Sequence, residues 1–332
     1  MKKQYVIGVD GGNTKTDYML YDTLGNYVDG IRSGTCSHEG LSDSFEGSYR
    51  VMKENIELLL NRNGLTIDDV ASGAFGLAGV DCPYQQKKLI EVVERIGFKN
   101  YQVVNDGFLG IKAASPNGTG VCSINGTGTV NIGVDNKNNW FQIGGIGYVA
   151  GDEAGGSFLA RAAVRATYDA CFRFGKPTLI QNDVFEMYGV DNYLDLRDVI
   201  INKRVDSKFL VQSLFRRANE GDEVAIEILE TAGWNMGKSI AGVIRELEFI
   251  EPINVILAGS IWAKATNDNM FNKFKETVFE LSKKQCEFII LKEPPVLGAI
   301  LWALELANKE MPSKELKEKI NNSIIEYQNQ FN

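Results

Sequence analysis

The stretch Gly8-Val9-Asp10-Gly11-Gly12-Asn13-Thr14-Lys15-Thr16-Asp17 restricts the possible folds of this chain more than any other. It joins a β-type run at residues 4–7 to a second at 18–21. Glycines between two strands allow a tight hairpin with positive φ and let the backbone approach a ligand closely. Gly11, Gly12, Asn13, Thr14, Lys15 and Thr16 gather N–H groups, hydroxyls and one cation at the bend, a donor set suited to phosphate. Asp10, at the strand end, is placed to hold Mg2+ chiefly through water, because that ion prefers oxygen ligands and keeps much of its hydration. Taken alone, these residues describe an ordinary turn-forming hairpin equally well.

The pattern recurs. Residues 120–124 read as a strand, Asn125-Gly126-Thr127-Gly128 as a glycine turn, and 129–134 and 140–143 as further strands. Internal duplication of this kind predicts two related α/β units, and 332 residues exceed what one core usually serves. Between the copies, helix spacing over 41–63 and 83–96 alternates with strands at 71–79 and 101–104, which adds parallel members to the first sheet. A helical region is expected over 152–247, then a strand at 254–258, a helix to about 281, a strand at 288–291, and helices at 296–306 and 313–331. The boundary is expected near residues 114–118, without a Gly/Ser-rich linker. The expected units are 1–115 and 116–311, with the helix in 312–332 folding back on the first.

Composition narrows the function. A net charge of -8 argues against a broad nucleic-acid surface. No apolar run approaches membrane-spanning length, and Met1-Lys2-Lys3-Gln4 lacks the apolar stretch of a signal peptide. Five cysteines without a CxxC pair fit free thiols in a reducing cytoplasm. The single histidine, His38, cannot by itself build a histidine metal site or relay.

Three segments then carry a resemblance: Asp10-Gly11-Gly12-Asn13-Thr14-Lys15-Thr16, Gly126-Thr127-Gly128-Thr129, and Gly144-Gly145-Ile146-Gly147-Tyr148 leading to Gly151-Asp152-Glu153. With Ala258-Gly259-Ser260, they resemble the N-acetylglucosamine kinase and BadF/BadG-type ATPase group of the actin, Hsp70 and sugar-kinase superfamily. The similarity runs in order along nearly the whole chain. It implies two duplicated actin-like (ribonuclease H-like) domains with mixed five-stranded sheets, and an interdomain cleft with ATP and Mg2+ at its base. The implied activity is phosphorylation of an N-acetylated amino sugar, N-acetylglucosamine or N-acetylmuramic acid.

By the same resemblance, residues 11–16 form the first phosphate hairpin, while Gly126, Thr127 and Gly128 form the second, Thr127 bridging the nucleotide and sugar sides. Gly259 and Ser260, with Lys264, form the adenosine turn, and the neighbourhood of Ala218 touches adenine. A strand-to-helix step also suits a nucleotide physically, since a helix N-terminus has free N–H groups and a positive dipole end. Asp106 ends a strand before Gly107 and is the candidate catalytic base; capping the next helix is the other role open to it, and the two are compatible. Asp152 is read as contacting sugar hydroxyls, with Thr129, Gly145, Ile146 and Gly147 nearby and Ser37 and His38 in the loop that meets the N-acetyl sugar. His38 reads as a supporting or surface residue rather than a catalyst. Against the animal kinase pattern, Val130 and Ser37 each stand where that pattern has Asn, and Ile146 where it has Trp, so a bulkier sugar or phosphorylation at the anomeric oxygen enters consideration.

Other features read more simply. Cys122 and Cys171 read as small core residues, whereas an iron–sulfur activator ATPase of radical dehydratases, the rival within the wider group, needs paired thiolates at a dimer axis. Residues 215–219 read as a solvated helix face, Trp262 as core, and Lys176 as facing either solvent or the cleft. A homodimer through helices in 182–248 is expected, with a small amino sugar as the partner molecule and neither nucleic acid nor membrane.

Overall fold

The computed structural model describes residues 4–137 and 139–331. The expected absence of a leader in Met1-Lys2-Lys3, and the outer bounds 1 and 332 of the expected units, concern positions outside the described residues. The chain divides into two compact units, Met1–Gly120 with Leu291–Asn332, and Val121–Ile290.

The first unit opens with β1 (Tyr5–Gly11), β2 (Lys15–Asp22) and β3 (Tyr27–Gly34), an antiparallel meander. Then follow α1 (Ser44–Arg62), β4 (Val70–Leu77), α2 (Pro83–Ile96), β5 (Tyr101–Val104) and α3 (Gly107–Ala114). β4 and β5 join in parallel, giving the order β3-β2-β1-β4-β5. Both faces of this sheet are covered, so its central strands are apolar almost throughout rather than alternating with polar residues. Ile7, Val9, Leu20 and Phe75 pack with Met52, Ile56 and Leu59 of α1 and Leu89, Val92 and Val93 of α2. Their neighbours Val6, Met19, Tyr21 and Ala74 belong to a separate cluster.

The second unit repeats the scheme. β6 (Gly120–Asn125), β7 (Thr129–Val134) and β8 (Trp140–Gly144) are followed by α4 (Gly156–Phe172), α5 (Ile180–Tyr188), α6 (Leu196–Asn202), α7 (Ser207–Asn219) and α8 (Glu223–Glu246). β9 (Ile253–Ala258), α9 (Ser260–Lys264), α10 (Asn269–Ser282) and β10 (Cys286–Ile290) complete it, with strand order β10-β9-β6-β7-β8. The two mixed five-stranded sheets make the chain α/β, as the duplicated hairpins predict. No helix among the described residues is long and apolar enough to cross a membrane.

The chain then returns to the first unit through α11 (Val296–Asn308) and α12 (Lys314–Gln328). This corrects the expectation that 116–311 forms one unit. Val296, Leu297, Ile300 and Leu304 complete the cluster with Val6, Met19, Tyr21 and Ala74, joined by Ile320, Ile324 and Tyr327 of α12. An apolar helix such as α11 is placed by the face it covers, which strand and helix spacing alone do not report.

Glycines allow α11 to come this close. A Cβ on Gly298 would lie 2.0 Å from the Leu109 carbonyl oxygen of α3, and one on Gly8 would lie 2.8 Å from the Ile300 amide nitrogen. Gly298→Ala is therefore expected to destabilise the protein by about 1–3 kcal/mol or more, because backbone must move to admit the methyl group. Gly34→Ala, with nothing within 4 Å, is the control, expected to stay within about 0.5 kcal/mol in denaturant titrations.

Candidate functional site

In the first unit, β1 and β2 pair through Asp10 with Asp17 and Gly11 with Thr16, and the turn closes with Gly12 N donating to Lys15 O at 3.0 Å. The turn's carbonyls are anchored from outside: Ala78 N donates to Gly11 O at 2.7 Å and Thr35 Oγ1 to Gly12 O at 2.9 Å. Asn13, Thr14 and Lys15 are exposed at the tip. Thr16 is not: it is fully buried and its Oγ1 accepts from Cys36 N at 3.1 Å. This corrects its expected place among the phosphate donors, since even numbering along a strand turns it inward to brace the neighbouring loop.

Asp10 and Asp106 are both partly exposed carboxylates of this unit. Burial raises the Asp10 pKa to about 7, with the charges of Asp106 and Asp17 adding to it and Lys15 and Arg32 opposing. Arg32 grips Asp17 with both ends of its guanidinium, Nε to Oδ1 at 2.7 Å and Nη2 to Oδ2 at 2.9 Å. Asp106 follows β5, and burial, then the charge of Asp81, raises its pKa to about 6, with the backbone amides of Gly107 and Asp106 opposing. Its side chain makes no capping bond. The first helical amide, Gly107 N, instead donates to Asn105 Oδ1 at 2.9 Å. Asn105 and Asp81 were absent from the sequence-derived candidates; the only signal was an Asn placed two residues before a helix amide, a common turn pattern.

Ser37 and His38 are both buried. Ser37 Oγ donates to Ala78 O at 3.3 Å, and the His38 ring stacks on Phe45 at 4.2 Å between centroids. Burial lowers the His38 pKa, so the ring is neutral near pH 7. A surface position for His38 is thereby excluded, while its supporting role is compatible with this packing.

In the second unit the Gly126-Thr127-Gly128 turn is docked on the start of α4: Gly156 N donates to Gly126 O at 2.8 Å and Ser157 N to Thr127 O at 3.0 Å. A cavity of about 390 Å3 adjoins it, lined by Gly126, Thr127, Ser157, Lys208, Phe215, Ser260, Lys264 and Thr266, among others. Gly259 has φ +95°, and a Cβ there would lie 2.4 Å from Asn125 O, so the turn before α9 rests directly on the root of the hairpin. Asn125 is fully buried, and neither side-chain polar atom has a hydrogen-bond partner.

Ala218, expected near adenine, is buried and does not line this cavity; Phe215, one turn earlier on α7, does. The reading of 215–219 as a solvated face holds for Arg216 and Asn219 and is corrected for the other three residues. Phe215 and Ala218 are buried, and Arg217 Nε donates to the buried Asp183 at 2.7 Å. Trp262 is core, 5% exposed, and Lys176 pairs with Glu227.

The loop Gly144–Gly151 is shaped by Gly144, Gly145, Gly147 and Gly151, all at positive φ. Asp152 Oδ2 accepts from Ile146 N at 2.8 Å and Gly147 N at 2.6 Å. One carboxylate oxygen of Asp152 thus fastens the loop, which leaves Oδ1 for any ligand contact. Ile146 is 68% exposed, whereas Thr129 is buried and its carbonyl accepts from Gly145 N at 3.0 Å.

Two α/β units, each built on a glycine hairpin, define the actin-like ATPase class. Residues 7–303 match the BadF/BadG/BcrA/BcrD ATPase family, and the chain belongs to that family. It is 25% identical over 305 residues to an N-acetylmuramic acid/N-acetylglucosamine kinase of Clostridium acetobutylicum, covering 90% of this chain and 98% of that protein. It is 26% identical to an N-acetyl-D-glucosamine kinase of Dictyostelium discoideum, covering 92% and 99% respectively. A solved structure from Chromobacterium violaceum, provisionally named an N-acetylglucosamine kinase, shares the fold with a TM-score of 0.63 at 20% identity, covering 92% of this chain and all of that one.

Gly259→Ala places a side chain in strained backbone and against Asn125. It is expected to weaken ADP binding about tenfold or more in calorimetry, while circular dichroism still shows a folded protein.

Proposed function

We propose that the chain is an ATP-dependent kinase for an N-acetylated amino sugar, N-acetylglucosamine first and N-acetylmuramic acid as a further substrate. The observation that carries this reading is Asp106: a partly exposed carboxylate at a strand end, left out of the helix cap, with a pKa raised to about 6. A base of that strength is largely deprotonated at pH 7 yet more basic than an ordinary carboxylate, and accepts a proton from a hydroxyl as it attacks phosphorus. The family and the kinase names of the two relatives support the same reaction.

When bound, ATP supplies the phosphoryl group and Mg2+ compensates its charge. The residues fit both. The cavity beside Gly126 and Thr127 carries Ser260 and two lysines, Lys208 and Lys264, suited to a nucleotide, and the exposed tip residues Asn13 and Thr14 suit phosphate oxygens. Among the described residues no group of three or more His, Cys, Asp or Glu could hold a metal. A lone carboxylate at Asp10 matches an ion that keeps most of its water. The loop fastened by Asp152 holds the exposed Ile146, an apolar contact for an acyl or lactyl substituent. Cytoplasmic location and a homodimer complete the proposal. Cys122, sealed in β6, is not placed to bridge a cluster between subunits, so the iron–sulfur activator is not preferred.

Asp106→Asn is expected to fold normally and lose about 10²–10⁴-fold in kcat; full retained turnover overturns the assignment. The base works deprotonated, so kcat/KM should fall as pH drops through about 6 and level off above it, with that limb missing from the residual rate of Asp106→Asn. Removing divalent ions with EDTA should stop turnover, and added Mg2+ should restore it. Product NMR over a set of amino sugars reports which oxygen carries the phosphate.

A further inference from the structure

An aspartate placed just before a helix normally turns back to accept from the helix's first amides, since Asp is among the strongest N-capping residues. A carboxylate so engaged is a poor base, because donors to its charged form weaken its hold on a proton and point it away from substrate. Asp106 stands at the head of α3 with helical backbone angles, φ -55° and ψ -28°; the Gly107 amide lowers its pKa, but burial outweighs it, and the Asp106 side chain makes no capping bond. The reason lies one residue earlier. Asn105 Oδ1 accepts from Gly107 N at 2.9 Å, and the Asn105 carbonyl accepts from Phe108 N at 3.1 Å, so Asn105 fills the acceptor roles at the helix start.

An amide side chain can rotate so that its oxygen and nitrogen exchange places. In Asn105 the exchange is blocked: Nδ2 donates to Asp81 Oδ1 at 3.0 Å, and a carboxylate can only accept. Asn105 is 4% exposed, so neither end has water to fall back on. Asp81 is itself fixed in the loop after β4, its backbone N donating to Gln85 Oε1 at 3.0 Å. α3 cannot slide to compensate, because Gly298 of α11 packs against the Leu109 carbonyl.

We infer that Asn105 and Asp81 are positioning residues for the phosphoryl transfer: Asp81 sets the orientation of the Asn105 amide, which caps α3 and so keeps the Asp106 carboxylate available to the sugar hydroxyl. The inference rests on Asp106 being the base. Without Asn105, the Gly107 amide, which already lowers the Asp106 pKa, would be free to hold the Asp106 carboxylate at the helix start.

The test compares Asn105→Ala, Asp81→Ala, Asp81→Asn, the double variant Asn105→Ala/Asp81→Ala, and Asp106→Asn, using N-acetylglucosamine and MgATP with circular dichroism on each. Asn105→Ala and Asp81→Ala should each lose about 10–100-fold in kcat, with the KM of sugar and ATP within roughly threefold of the parent. The double variant should be no slower than Asn105→Ala, as expected for two residues acting in series. Asp81→Asn keeps an oxygen facing Asn105 and should recover most of the rate lost in Asp81→Ala. Should Asn105→Ala fail to fold, Asp81→Ala carries the test, since it leaves the α3 cap residue in place. Folded alanine variants with parental kcat and only a lowered Tm would overturn the inference, and so would a loss confined to sugar KM. If Asp106→Asn is inactive while both alanine variants turn over normally, this inference alone fails; if Asp106→Asn is active, the assignment of the base fails with it.

Discussion

Carbonyl oxygens in both glycine turns are consumed by the protein itself. Gly11 and Gly12 are held by Ala78 N and Thr35 Oγ1, and Gly126 and Thr127 by the first amides of α4. Gly12 N and Gly126 N close their own turns, so it is the later amides of each turn that remain to meet an anion, as in a backbone nest. The carbonyl bonds fix each turn to a neighbouring element, so its shape needs no ligand to form. For α4, this also means that its N-terminal amides serve the hairpin rather than a ligand directly.

The carboxylates follow a related logic. Asp10 and Asp17 face each other across β1 and β2, an arrangement that would repel without a counter-charge. Arg32, reaching over from β3, neutralises the buried Asp17 with two hydrogen bonds and itself stacks on Phe331, 4.9 Å from its ring centre. Asp10 is left as the carboxylate of the pair without such a partner. In this way a three-strand meander sorts two like charges into one structural and one available.

Much of this was legible in the sequence. The hairpins, the strand that ends before Asp106, and the strand-to-helix step at Gly259 all depend on local chemistry: glycine where φ is positive, apolar runs at strand length, small residues where backbones touch. What escaped was decided by tertiary partners. Thr16 looks like its exposed neighbours Thr14 and Lys15 until Cys36 claims its hydroxyl. Arg217 looks solvated until a buried Asp183 on another helix pairs with it. The unit boundaries missed α11 for the same reason, since Val6, Met19 and Tyr21 lie far from it in sequence.

That return of α11 and α12 has a consequence for biosynthesis. The second unit is one uninterrupted stretch, Val121–Ile290, and emerges from the ribosome complete. The first unit cannot close when its own five strands have been made, because one face of its sheet still awaits residues 296–327. Until they arrive, Val6, Met19, Tyr21 and Ala74 lack their apolar cover, so the earliest-made sheet is the last to mature and the one most in need of chaperone shelter during translation.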